Sequence, residues 1–185
     1  MMAASDTGNG SLAQRATWGA VLTVVSVLGT LALACAMPFA ALAVMAAIFL
    51  PRREALVLIG INWLANQAVG FGLLHYPLNW SCFAGGIELG IAAMSSVAVA
   101  SIVYRALQKF GPALAVIGTF AAAYGVYEGI CCLGAMDEFS APIALYILYL
   151  NGVVLAGLLA VQALAAAVGL AAPRAQLAAS VASTA

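Results

Sequence analysis

The chain has 185 residues, of which 66% are hydrophobic and only 6% charged, with a net charge of zero at neutral pH. A soluble domain carries roughly a quarter of its residues charged, so this composition belongs in lipid and offers no electrostatic footprint for nucleic acid or acidic partners. A span needs about 20 apolar residues, which leaves room for five or six spans with short loops and none for a soluble domain.

In chain order, Met1 to Ala16 is polar and rich in small residues. It lacks the charged start and short apolar core of a cleaved signal peptide and is expected to be a disordered cytoplasmic lead-in, residues 1–16. A transmembrane domain is expected over 17–172 and a cytoplasmic tail over 173–185. The domain divides into six helices bounded by charges and by Pro or Gly: Thr17–Cys35, Met37–Leu50, Glu54–Leu74, Phe83–Leu107, Pro112–Leu133 and Pro142–Leu170. The apolar run from Trp18 to Leu50 is too long for one span, because as a single helix it would reach about 50 Å. Pro38 lies in its middle, where it would remove a backbone donor, and suits the first turn of a second helix. A tight hairpin at Ala36–Pro38 follows, with a second helix short enough to be partly re-entrant.

Charge sets the orientation. With six spans and the N-terminus inside, Arg15, Arg52, Arg53, Arg105, Lys109 and Arg174, every Lys and Arg in the chain, face the cytoplasm. This is the positive-inside pattern. The opposite loops hold His75 and the acidic pair Asp137–Glu138 but no fixed positive charge. A five-span arrangement puts Arg15 on the wrong side. No inverted repeat is visible, so a rocking transporter built on one gains no support. The expected fold class is therefore an all-α membrane protein of six transmembrane helices with both termini cytoplasmic.

Depth then sorts the polar residues. Asn66 and Gln67 lie about 10–12 Å below the outer end of the third helix at 1.5 Å per residue. The pairs Asn62/Asn66 and Trp63/Gln67 each share a helix face at i,i+4. Glu88 falls early in the fourth helix, Tyr124, Tyr127 and Glu128 in the last turns of the fifth, and Tyr146, Tyr149 and Asn151 at the start of the sixth. Polar groups at membrane depth pair with one another or line a water-filled cavity. Both readings stand for Glu88 and Glu128: glue between helices, or the wall of a pocket open to the outside. Tyr146, Tyr149 and Trp80 also read as an interfacial aromatic belt.

Four cysteines, Cys35, Cys82, Cys131 and Cys132, all fall at the outer face. Disulfides are possible in an oxidising compartment, and four cysteines allow three pairings. No CxxC spacing is present, and buried Cys also serves as a small hydrophobe. Cys82 differs by its setting, the loop His75-Tyr76-Pro77-Leu78-Asn79-Trp80-Ser81-Cys82 with Gly85–Gly86 following. A thiol at a helix start is held near the positive end of the dipole, which favours thiolate, a nucleophile and a soft metal ligand. The aromatic neighbours and the glycines suit close approach of a large, partly flat ligand.

These features resemble the substrate-binding S-component of energy-coupling factor (ECF) transporters, and within that group the single loop cysteine is similar to BtuM, a small bacterial family linked to vitamin B12 uptake. The matching position is Cys82 in Asn79-Trp80-Ser81-Cys82-Phe83. The resemblance implies cobalamin bound from the periplasm across the bacterial inner membrane. It implies cobalt ligated by Cys82 and loss of an axial cyanide, a decyanation for which Cys82 is also the catalytic candidate. His75, Tyr76, Trp80, Asn66, Gln67, Glu88, Tyr124, Tyr127, Glu128 and Tyr146 are the further candidates for the cobalamin site. Group members that dock on a shared coupling subunit with ATPases show Ala-x-x-x-Ala on the first helix. Only Ala32-x-x-x-Ala36 fits here, at the outer end, so a solitary transporter stands beside a docked one. Other functions compatible with the residues are a thiol–disulfide oxidoreductase passing electrons to quinone, a transition-metal permease using Cys82, His75, Cys131, Cys132 and Met136, and a scaffold without a ligand.

Overall fold

The computed structural model describes residues 6–33, 37–134 and 141–168. Cys35, Ala36, Met136, the Asp137–Glu138 pair, Arg174 and the expected tail lie outside the described residues. Six α-helices follow in chain order: α1 Asp6–Leu33, α2 Phe39–Phe49, α3 Arg52–Gly72, α4 Trp80–Leu107, α5 Pro112–Gly134 and α6 Ala141–Ala167. A 3-10 turn at Gln108–Phe110 extends α4. No strand occurs among the described residues. Four helical segments, Arg52–Gly72, Trp80–Phe110, Pro112–Gly134 and Ala141–Ala167, are long and apolar enough to cross a membrane, and two apolar stretches, Ala16–Gly29 and Phe39–Phe49, are shorter. The chain is an all-α, multi-pass membrane protein.

Two helix starts, those of α1 and α4, lie well ahead of their expected positions. The chain from Asp6 to Ala16, expected to be disordered, is helical and continuous with the first apolar segment. Leu12, Ala13, Gln14 and Arg15 are strong helix formers and supply the propensity for that extension. Helix α4 begins at Trp80, ahead of the expected Phe83, because the Asn79 side chain caps it.

The bundle is organised around α2. This helix has 11 residues, and every one of its side chains is buried. At 1.5 Å per residue it is about 16 Å long, roughly half the hydrocarbon thickness. Helices α1, α3, α4, α5 and α6 all pack against it, and α1 on α3, α3 on α4 and α4 on α5 complete the shell. A helix that is apolar all round has no face to present to water and goes to the centre. The many alanines of Phe39–Phe49 let the surrounding backbones come close. Trp18 of α1 stacks on Phe49 at the far end of α2, with ring centroids 4.5 Å apart. Gly29 leaves room for the Met37 thioether ahead of α2. These two contacts make α1 and α2 an antiparallel hairpin.

Proline and glycine set the breaks. Pro38 stands at the N-cap of α2 and supplies no side-chain cap. Leu50 is extended before Pro51, the conformation that a following proline imposes. Gly111 takes φ +111° between the 3-10 turn and Pro112, a backbone region closed to other residues.

The first-turn donors of α2 are buried where water cannot reach them, so they need partners from the protein. Asn151 of α6 provides one, accepting from the Ala41 amide at 3.0 Å while donating to the Ile147 carbonyl at 3.0 Å. A residue distant in sequence thus does the work of an N-cap. Asn151→Ala should therefore lower stability by about 1–3 kcal/mol, since it strands a buried donor. Thermal unfolding in detergent measures this, and an unchanged midpoint would show that the bond contributes nothing.

Candidate functional site

Antiparallel packing of α3, α4 and α5 sorts the bundle into two ends. Arg52 and Arg53 open α3, while Arg105 and Lys109 close α4 and its 3-10 extension, so these cations share one end. The loop of residues 73–79, the start of α4, the end of α5 and the start of α6 form the other. A cavity of about 400 Å³ lies at that second end.

The loop is tied down by its backbone. The Leu73 and Leu74 amides both donate to the Val69 carbonyl, and the Tyr76 amide donates to Gly70 at 3.1 Å. His75 makes the reversal with φ 55°, a left-handed conformation uncommon for a residue with a side chain. The reversal lays the Tyr76 ring on Gly70, where a Cβ would stand 2.6 Å from it. Phe71 stacks on Phe83 of α4 at 4.9 Å and meets Tyr76 edge-on at 6.0 Å. Three aromatics thereby fasten the loop to both helices, and Tyr76 and Pro77 become part of the cavity wall.

Helix α4 supplies most of the remaining wall. Asn79 takes the N-cap position in extended conformation, and its side-chain oxygen accepts from the Cys82 amide at 2.9 Å. Cys82 is therefore the third residue of the helix, with its thiol free, half-buried and on the cavity. Gly85 lines the cavity with open space beside it. Gly86 does not serve a ligand in the same way, because the Gln67 side chain fills the place of its missing Cβ. The Gly86 carbonyl accepts from the Trp63 indole at 2.8 Å, and Gly90 leaves room for the same indole ring. The glycines thus serve chiefly to bring α3 against α4.

Of the residues expected in the site, Asn66, Gln67, Tyr76, Cys82, Glu88 and Tyr127 line the cavity. The Gln67 amide donates to Asn66 Oδ1 at 3.2 Å, which orients both. The other expected residues stand outside it. Trp80 is 80% exposed, and His75 and Tyr146 are exposed as well. Tyr124 donates its hydroxyl to the Ala144 carbonyl at 2.6 Å and so ties α5 to α6. Glu128 sits beside Tyr124 on α5. Asn62, one turn deeper than Asn66, is fully buried with both polar side-chain atoms unpartnered. Placement by depth alone could not separate these groups, because depth does not say which way a helix face turns.

Cys131 is the main addition. It lines the cavity beside Tyr127, one turn away on α5, and the Glu88 carboxyl lies close to it. The i,i+4 spacing from Tyr127 is the signal that could have found it. Ile147 of α6 closes the wall, one turn before Asn151. The described cysteines, Cys82, Cys131 and Cys132, are free thiols. Among the described residues no three His, Cys, Asp or Glu side chains are grouped to hold a metal ion.

Chemically, the site offers a half-exposed thiol at a capped helix start, amide and phenol groups for hydrogen bonding, and one carboxyl. Comparison with known protein families, with curated proteins and with solved structures returns no match.

Proposed function

We propose that this protein binds cobalamin (vitamin B12) and takes it up across the bacterial inner membrane, with Cys82 as the ligand to cobalt. The observation that supports the reading is the setting of Cys82. Its thiol stands in a cavity with Asn66, Gln67, Tyr76 and Tyr127, at the end of the bundle away from Arg52, Arg53, Arg105 and Lys109. Under the positive-inside rule that end faces the periplasm. The chain then makes six passes with both termini cytoplasmic, the α1–α2 hairpin returning it to the inner side. The short α2 completes its pass inside protein, where irregular backbone at membrane depth is tolerated.

A cavity of about 400 Å³ falls within the range of small-molecule sites. It is smaller than a corrin with its side chains, so the ring would present one axial face to Cys82 while its rim stays outside. In the exchange, the Cys82 thiolate forms a sulfur–cobalt bond, the cobalt–carbon bond to cyanide breaks, and cyanide leaves with its electron pair. Cobalt remains Co(III) throughout. The peripheral amides of the corrin require donors and acceptors, which the Asn66–Gln67 pair and the two phenols supply.

Purification from cells grown with cobalamin tests the reading. A coloured protein with a corrin spectrum altered from that of free cobalamin is expected, and a colourless one would overturn it. The presence of two thiols, Cys82 and Cys131, on one cavity favours a second reading as a thiol–disulfide oxidoreductase. Labelling of free thiols before and after reduction separates the two. A redox protein masks a pair of thiols until it is reduced, whereas a cobalamin binder shows the same labelling in both states.

A further inference from the structure

The cavity has a one-sided electrostatic character. Glu88 is the one carboxyl among the described residues that line it, and no lysine or arginine joins them. Arg105, on the same helix, lies about 25 Å further along at 1.5 Å per residue, and the other described cations share its end. Glu88 Oε1 is buried without a hydrogen-bond partner. The carboxyl occupies the space that Gly134 leaves open at the end of α5, so it reaches across from α4 to the opposite wall. A buried acceptor of this kind is satisfied when a ligand brings an N–H or O–H to it.

The Gln67 amide nitrogen donates to Asn66, and Glu88 Oε1 receives no hydrogen bond from it. A ligand carboxylate entering here would meet a second carboxyl with no lysine or arginine among the lining residues to offset it. An amide or a cation brings the donor that the carboxyl lacks.

We infer that Glu88 is the specificity residue of the cavity, selecting ligands whose peripheral groups are amides or cations and rejecting those that carry carboxylates there. The inference rests on the cobalamin reading and names the corrinoid class it would take, the amidated one. A hydrogen bond from a ligand amide to Glu88 would also fix the rotation of the ring relative to Cys82.

Two corrinoids with the same ring and metal make the test: cobinamide, with amide side chains, and cobyrinic acid, with carboxylates. Each is titrated into purified protein in neutral detergent and followed by its visible spectrum. Wild type should bind cobyrinic acid at least about tenfold more weakly than cobinamide. Glu88→Gln should bring the two within about threefold, and Glu88→Asp, which keeps the carboxyl, should preserve the gap. Equal affinities in wild type, or an unchanged gap in folded Glu88→Gln, would overturn the inference and leave the cobalt–thiolate reading standing. If neither corrinoid shifts the spectrum, the cobalamin reading falls and this inference with it.

Discussion

Cys82→Ser is expected to abolish the sulfur-to-cobalt signature of the protein–cobalamin complex and to weaken retention of cobalamin by about 10- to 100-fold or more. A hydroxyl is a harder and far less acidic donor than a thiol, so serine preserves shape while removing the soft ligand. Altered partners of a bound metal already change affinity by about 10- to 100-fold, and losing the ligand itself should do at least as much. The fold should survive, because Cys82 is half-buried and its backbone amide, not its thiol, makes the bond to Asn79. Asn79→Ala tests the support separately. It removes the cap of α4 at a cost of about 1 kcal/mol and leaves the thiol in place but less firmly held. A weakened but present signature is expected in that variant. An unaltered corrin spectrum in folded Cys82→Ser would exclude Cys82 as the ligand.

Gly90→Ala should destabilise the bundle even though alanine is the better helix former. A Cβ at Gly90 would stand 2.6 Å from the Trp63 ring, which must then move. The ring is pinned by its bond to the Gly86 carbonyl at 2.8 Å, so it cannot move without losing that bond. Overpacking costs about 1–3 kcal/mol and the lost hydrogen bond about 1 kcal/mol. The helix preference of alanine returns about 1 kcal/mol, leaving a net loss of about 1–3 kcal/mol. The signature is non-additivity: in a Trp63→Leu background the same substitution should cost little, since the clash is gone. Thermal unfolding of the two single variants and the double variant measures this. An equal penalty in both backgrounds would locate the effect elsewhere.

The candidate site was legible only in part, for identifiable reasons. Asn66 and Gln67 were placed by counting residues from a helix end, and Cys82 by its position ahead of an apolar run. Both methods depend on rise per residue, which is constant. Trp80, Tyr124, Glu128 and Tyr146 sit at the right depth as well, yet none of them lines the cavity. Tyr124 shows the reason: its hydroxyl is used on the Ala144 carbonyl, a partner 20 residues away that no local pattern announces. Gly86 likewise reads as space for a ligand until Gln67 is seen to fill it.

A chain almost without charge is sufficient to make this an all-α membrane protein, because unpaired backbone in lipid leaves helices as the stable solution for such apolar runs. The breaks at Pro38, Pro51 and Gly111–Pro112 were also in the sequence, since proline and glycine restrict backbone angles locally. Tertiary structure alone decided that the shortest apolar segment becomes the centre of the bundle. Residues 39–49 are apolar on every side, so the sequence offers no face by which to orient them, and their place depends on five other helices and on Asn151. The same holds for the cavity. Its residues come from α3, α4, α5, α6 and one loop, and which of them meet depends on how each helix is rotated about its axis, a quantity that only packing determines.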